Sequence, residues 1–147
     1  MTWKPHATVA AIIERDNHFL MVEENSDGKI VFNQPAGHLE PEESFIQAVI
    51  RETREETGWR LQPEAITGLY RWQHPVLKRT YTRVAFSGQC DDHQPDQPLD
   101  EGIIRAVWMT RKELLEQPEK LRSPMVIRCI DDYLAGHRYP IEMLIDL

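Results

Sequence analysis

Cysteine is scarce in this chain, with only Cys90 and Cys129 among 147 residues. They are far apart and outside any CxxC or Cys/His array, which removes support for a disulfide framework or a thiolate zinc site. Free thiols in a reducing cytoplasm are the expectation. Long apolar runs are missing too. The longest, Val9 to Ile13, falls far short of the ~20 residues that cross a bilayer, and the first residues show no signal-peptide pattern. Neither a membrane partner nor secretion is expected. Basic charge is in deficit, with 17 Lys and Arg against 24 Asp and Glu, a net charge of −7 and a pI near 5.3. That balance argues against long nucleic acid as a partner. There is no internal repeat, low-complexity tract or Gly/Ser linker, so one domain over residues 1–147 is expected.

What is present suffices for a core. Apolar residues make up 41% of the chain and mean hydropathy is −0.52; a domain of this size buries roughly 68–70% of the surface its unfolded chain exposes. Apolar and β-branched runs at 7–13 and 19–23, separated by the polar turn Arg15-Asp16-Asn17-His18, read as a hairpin. Asp27-Gly28 signals a second turn before a short strand at 30–33. A Gly-containing loop at 34–38 follows. Ser44 and Gln47 have capping-box spacing, opening a helix that Gly58 stops. Strands are expected at 65–72, 81–89 and 103–109, with a polar loop at 91–102. Helices are expected at 111–116 and from Ser123-Pro124, with Ser123 as cap and Pro124 at the first position, to Gly136. The pattern predicts an α/β fold, a mixed sheet with helices on its faces.

On the predicted helix, Glu52, Glu55 and Glu56 stand at i, i+3 and i+4, within an arc of roughly 100°. Phe45 and Val49 fall near ~20° and ~60° from Glu52, so the acids border the apolar face. Like charges at this spacing cost about 0.2–0.5 kcal/mol per pair, and acids near a helix C-terminus oppose its dipole. A solvated face relieved by an Arg51–Glu55 pair is one account. A hard divalent cation is the other, since Mg²⁺ takes carboxylate and phosphate oxygens and brings positive charge to an acidic site.

The run from Gly37 through Glu43, Arg51-Glu52 and Glu55-Glu56 to Gly58-Trp59 resembles the Nudix box, G-x5-E-x7-R-E-U-x-E-E-x-G-U. All seven fixed letters are in place over 23 positions; the departure is Thr53, where the family usually has an aliphatic residue. Asn33 to Glu40, Leu121 to Pro124 and Arg138 to Pro140 extend the likeness toward the family's NudJ-type phosphatase branch. The resemblance implies a Nudix-like α/β/α sandwich with a carboxylate-bearing helix. It also implies a Mg²⁺-dependent hydrolase, with Mn²⁺ as an alternative ion, that releases phosphate from nucleoside tri- and diphosphates and from thiamine-pyrimidine diphosphate. Carried over by position, Glu52, Glu55 and Glu56 supply catalysis and metal ligands, and Gly37 offers its carbonyl. Glu43, Arg51 and Gly58 hold the motif together. The base is one of these acids or a loop carboxylate, and Asp100 or Glu101 is the expected further acid, with Glu101 among the metal ligands.

Weaker candidates surround this set. Lys29 and Arg83 are placed at the substrate, and Arg105 could help steer an anion. His38 could touch phosphate. Tyr70, Trp72 and Tyr81 are core aromatics or a stacking surface. Met125, Val126, Ile130 and Tyr133 are at core-facing helical spacing. Two other readings stay open, an ADP-ribose or nucleotide-sugar pyrophosphatase and a non-catalytic nucleotide sensor. The expected partner is a small phosphate substrate, and the expected state is a monomer or homodimer.

Overall fold

A computed structural model describes residues 2–147. In chain order its strands are β1 (His6–Ile12), β2 (Glu14–Arg15), β3 (His18–Ser26), β4 (Lys29–Asn33), β5 (Ala36–His38), β6 (Arg60–Gln73), β7 (Thr80–Asp91) and β8 (Ile103–Met109). The helix α1 (Phe45–Thr57) lies between β5 and β6, and α2 (Arg111–Leu115) and α3 (Met125–Leu134) follow β8. One sheet has the order β5-β1-β7-β6, with β1 and β7 parallel and the other pairs antiparallel. In the second sheet, β3 pairs antiparallel with β2, β4 and β8.

The first sheet is covered on both faces. Val9, Ala11 and Ile13 join Val84 and Phe86 in a core with Ala48 and Val49 of α1. Ile12 and Ala85 join Val126, Cys129 and Ile130 of α3 in a second core. Alternate residues of β1 and β7 thus serve opposite layers, which is why the run at 9–13 is apolar without interruption. The result is the expected α/β/α arrangement.

The predicted hairpin at 7–23 is not formed. β1 pairs with β5 and β7, and only the two-residue β2 folds back on β3. Asp16 and Asn17 both have positive φ and make the tight turn read from the sequence. The difference lies in the chain crossing between sheets at residue 13. The segment at 34–38, expected as loop, contributes β5, because the edge of β1 supplies backbone partners. The strands at 65–72 and 81–89 are longer than expected, since β6 and β7 pair from Arg60↔Asp91 to Gln73↔Thr80. At α3 the regular helix starts after Pro124, and Ser123 still accepts from Met125 N–H through its Oγ, at 3.2 Å.

Candidate active site

The local forces that make α1 also place its acids. Ser44 Oγ accepts from Gln47 N–H and Gln47 Oε1 accepts from Ser44 N–H. At the other end Gly58 takes the left-handed conformation, φ 76°, and donates to Arg54 O. Between these caps Ala48, Val49 and Thr53 are buried against the sheet, and Glu52 and Glu56 lie at the edge of that contact, themselves buried. Glu55 is half-buried.

β5 approaches from the opposite side. Gly37 pairs with Val9, and a Cβ at Gly37 would fall on the Glu52 carboxyl group. Ala36 N–H donates to Glu56 Oε1 at 2.9 Å. The loop at 92–102 is strapped to the end of α1. Gln94 N–H donates to Gly58 O, Gln97 Nε2 to Arg54 O and Asp100 N–H to Glu55 O, satisfying carbonyls that a helix C-terminus leaves open. This strap delivers Asp100. Glu52, Glu55 and Asp100 each offer a carboxylate oxygen within 4.8 Å of the others.

Arg51 ties the acids together. It grips Glu43 through Nε and Nη2, at 2.6 and 2.9 Å, and its Nη1 reaches Glu52 at 2.8 Å and Glu55 at 3.2 Å. Nη2 also donates to His38 O, anchoring β5. The bidentate bond to Arg51 holds the Glu43 carboxyl below its ordinary range. Burial pushes Glu52 up, although Arg51 works against it. Burial pushes Glu56 further, to about 9, against the Ala36 N–H bond that favours the anion. The Arg51 guanidinium thus serves Glu40, Glu43, Glu52 and Glu55 at once, while Glu56 and Asp100 have no ion-pair partner among the described residues. An all-oxygen set short of positive charge, with a glycine cradle beside it, fits a hard divalent cation.

The acids open onto a cavity of about 360 Å³ that Gly37, His38, Glu52, Glu56 and Asp100 line with Trp72, Tyr81 and Arg83. Arg83 is buried and donates to Gln34 Oε1 at 2.9 Å and Asn33 Oδ1 at 3.1 Å. Other sequence candidates lie elsewhere. Lys29 is exposed at the start of β4, away from this cavity, and Glu101 is exposed next to Asp100, outside the carboxylate cluster. Arg105 pairs with Glu23 at 2.9 Å. Tyr70 donates to Asp132 Oδ2 at 2.7 Å in a different cavity. Val126 and Ile130 are core residues and Tyr133 packs on the same cluster, while Met125 also reaches the cavity. Glu24, Asn33 and Arg122 line the cavity without having been singled out for the site; Arg122 Nη1 and Glu24 Oε1 are 2.9 Å apart. They sit on separate elements and carry no local spacing signal.

Comparison with known proteins agrees with this geometry. The NUDIX domain family model matches residues 4–128. Phosphatase NudJ of Escherichia coli K12 is 41% identical over 144 residues, covering 98% of this chain and 93% of that protein. A NUDIX hydrolase structure from Nitrosomonas europaea has a TM-score of 0.96 at 49% identity, covering 98% of each chain. The solution structure of the E. coli ORF135 protein has a TM-score of 0.70 at 28% identity, covering 90% of each. With the box in place, its acids gathered at one cavity and a family match over most of the length, this chain belongs to the Nudix family of phosphohydrolases.

Proposed function

We propose that the protein hydrolyses small organic di- and triphosphates and releases phosphate, using Mg²⁺, as the likeness to phosphatase NudJ suggests. Nucleoside tri- and diphosphates and thiamine-pyrimidine diphosphate are the substrates in view. The reading rests on Glu52, Glu55 and Asp100 converging to within 4.8 Å beside Arg51.

Glu52, Glu55, Glu56 and Asp100 would hold the ion, with the Gly37 carbonyl beside them. Such an ion lowers the pKa of water and offsets charge on phosphoryl oxygens. The chain's own groups prepare that chemistry. Arg51 keeps Glu52 and Glu55 at one position and anchors β5 through His38 O. Ala36 N–H aims the Glu56 carboxylate. One acid of the set takes the proton from the attacking water. Cys90 and Cys129 are buried with their thiols pushed up by desolvation, which makes them poor nucleophiles.

The test is phosphate release from a panel of nucleoside phosphates and thiamine-pyrimidine diphosphate. Release should require Mg²⁺, stop with chelator and fall at least ~100-fold in Glu56→Gln. Unchanged release in that variant or in chelator refutes the reading. Phosphorus NMR in ¹⁸O-labelled water locates the attacked phosphorus. Two monophosphates from a nucleotide sugar would point to a pyrophosphatase instead, and tight nucleotide binding without turnover to a sensor.

A further inference from the structure

The same cavity has a second group of lining residues, whose chemistry differs from that of the carboxylates. Trp72 of β6 and Tyr81 of β7 are cross-strand partners next to the turn at 74–79. Both are half-buried and line the cavity. They share a sheet face with Arg83, two residues along β7. On that face α3 packs on Ala85 and Ile12, and Tyr70 joins that cluster while Trp72 and Tyr81 do not.

These rings belong to a row, with His6 beside Tyr81 at 5.2 Å and 32° between planes and His74 beside Trp72 at 5.3 Å and 60°. Trp72 and Tyr81 lie 21° from parallel at 5.9 Å between centroids. A row of half-buried rings lining a cavity is a surface on which one more flat ring can pack, offset-stacked or edge to face.

The floor beside them is a donor surface. Arg83 is only 3% exposed, and the partners it finds are the neutral side-chain oxygens of Asn33 and Gln34 and the Cys129 sulfur. Its Nε has no partner, and no carboxylate comes within 4.0 Å of its guanidinium among the described residues. A buried cation without a counter-charge is costly, and electron-rich acceptor atoms held over it offset that cost. Asn33 Oδ1 accepts from both Gln34 N–H and Arg83, which leaves the amide NH₂ of Asn33 as the group that can donate to a ligand.

We propose that Trp72 and Tyr81 select the substrate by stacking its flat heteroaromatic ring, with the acceptor edge of the ring held over Arg83 and Asn33. This deepens the reading above, which it needs only for the position of the phosphates. Rings that present two neighbouring acceptors on one edge, N7 and O6 of guanine or N3 and O2 of cytosine, match a floor of donors better than adenine, whose exocyclic amine lies between its N1 and N7 acceptors.

The experiment is an NMR titration of the indole N–H resonances, with Trp72→Phe used to assign the Trp72 signal. The ligands are GMP, CMP, AMP, UMP and ribose 5-phosphate, in Mg²⁺ buffer. The nucleotides should shift the Trp72 resonance and bind at least ~5-fold tighter than ribose 5-phosphate, with GMP and CMP ahead of AMP. Trp72→Leu and Tyr81→Leu, on half-buried sites, should each reduce that advantage while leaving ribose 5-phosphate binding unchanged. Arg83→Lys, which keeps the charge and loses the fork, should compress the spread among bases. Equal affinity for ribose 5-phosphate and the nucleotides overturns the proposal, as does a Trp72→Leu effect that is nil or equal on both. Phosphate release assayed in parallel separates the two readings. Persistent Mg²⁺-dependent release without ring preference sinks stacking alone, and ring binding without release sinks the hydrolase.

Discussion

At the scale of single residues, the site depends on groups that touch the acids without being acids. Gly37 has no side chain because the Glu52 carboxyl occupies that space. Gly37→Ala should displace Glu52 and cost roughly 100-fold in kcat/KM, the penalty of about 1 Å of misplacement in a catalytic group. Its thermal unfolding should change little, because β5 lies at the sheet edge; steady-state kinetics with a melting curve check both. An active Gly37→Ala would remove the argument that the glycine makes room for Glu52. Thr53 shows how one letter of the sequence was legible only in part. It departs from the family's aliphatic preference, yet it is fully buried and its Oγ1 donates to Val49 O at 2.8 Å. A hydroxyl satisfied by its own helix can occupy an apolar position, and only the structure shows that partner.

Among elements, α1 was readable from sequence because what defines it is local. The capping box, the apolar spacing and Gly58 all lie within one stretch of chain, and each is found in the structure. The hairpin expected at 7–23 failed for the converse reason. β1 takes β7 as its parallel partner, with His6 opposite Tyr81 and Ile12 opposite Ser87, 75 positions further along the chain, and no local signal encodes such a pairing. β5 was missed likewise, since three residues become a strand only when β1 stands beside them. Gly58 also joins two elements. A Cβ there would meet Gln94 O at 2.8 Å while the backbone stayed at φ 76°. Gly58→Ala should therefore cost about 1–3 kcal/mol in urea unfolding. It should also lower activity beyond that loss, by loosening the strap that carries Asp100. A variant as stable and active as the parent would mean that the strap does not position the acid.

Over the whole molecule, the box announced the acids on α1, but the cavity they serve is assembled from β1, β3, β4, β5, β6, β7, the loop at 92–102 and the entry to α3. Glu24 and Arg122, 98 residues apart in the chain, meet across it, so sequence spacing had no means of joining them. This convergence brings carboxylates out of water together, and folding stability should record it through pH. Burial pushes Glu56 from 4.5 to about 9, and Glu52 is raised for the same reason. Between those values the folded, metal-free protein holds a proton that the unfolded chain has released, so stability must fall as pH rises from about 5 toward 9. A cation bound to the ionised acids favours the folded state and displaces that proton. Melting temperature in chelator should thus decline across this window, while saturating Mg²⁺ should hold it nearly level and widen the gap between the curves. Glu56→Gln carries no titrating group at that position, so its chelator curve should be flatter than the parent's. Parallel curves with and without Mg²⁺, or an unchanged slope in Glu56→Gln, would show that the buried acids are not coupled to an ion.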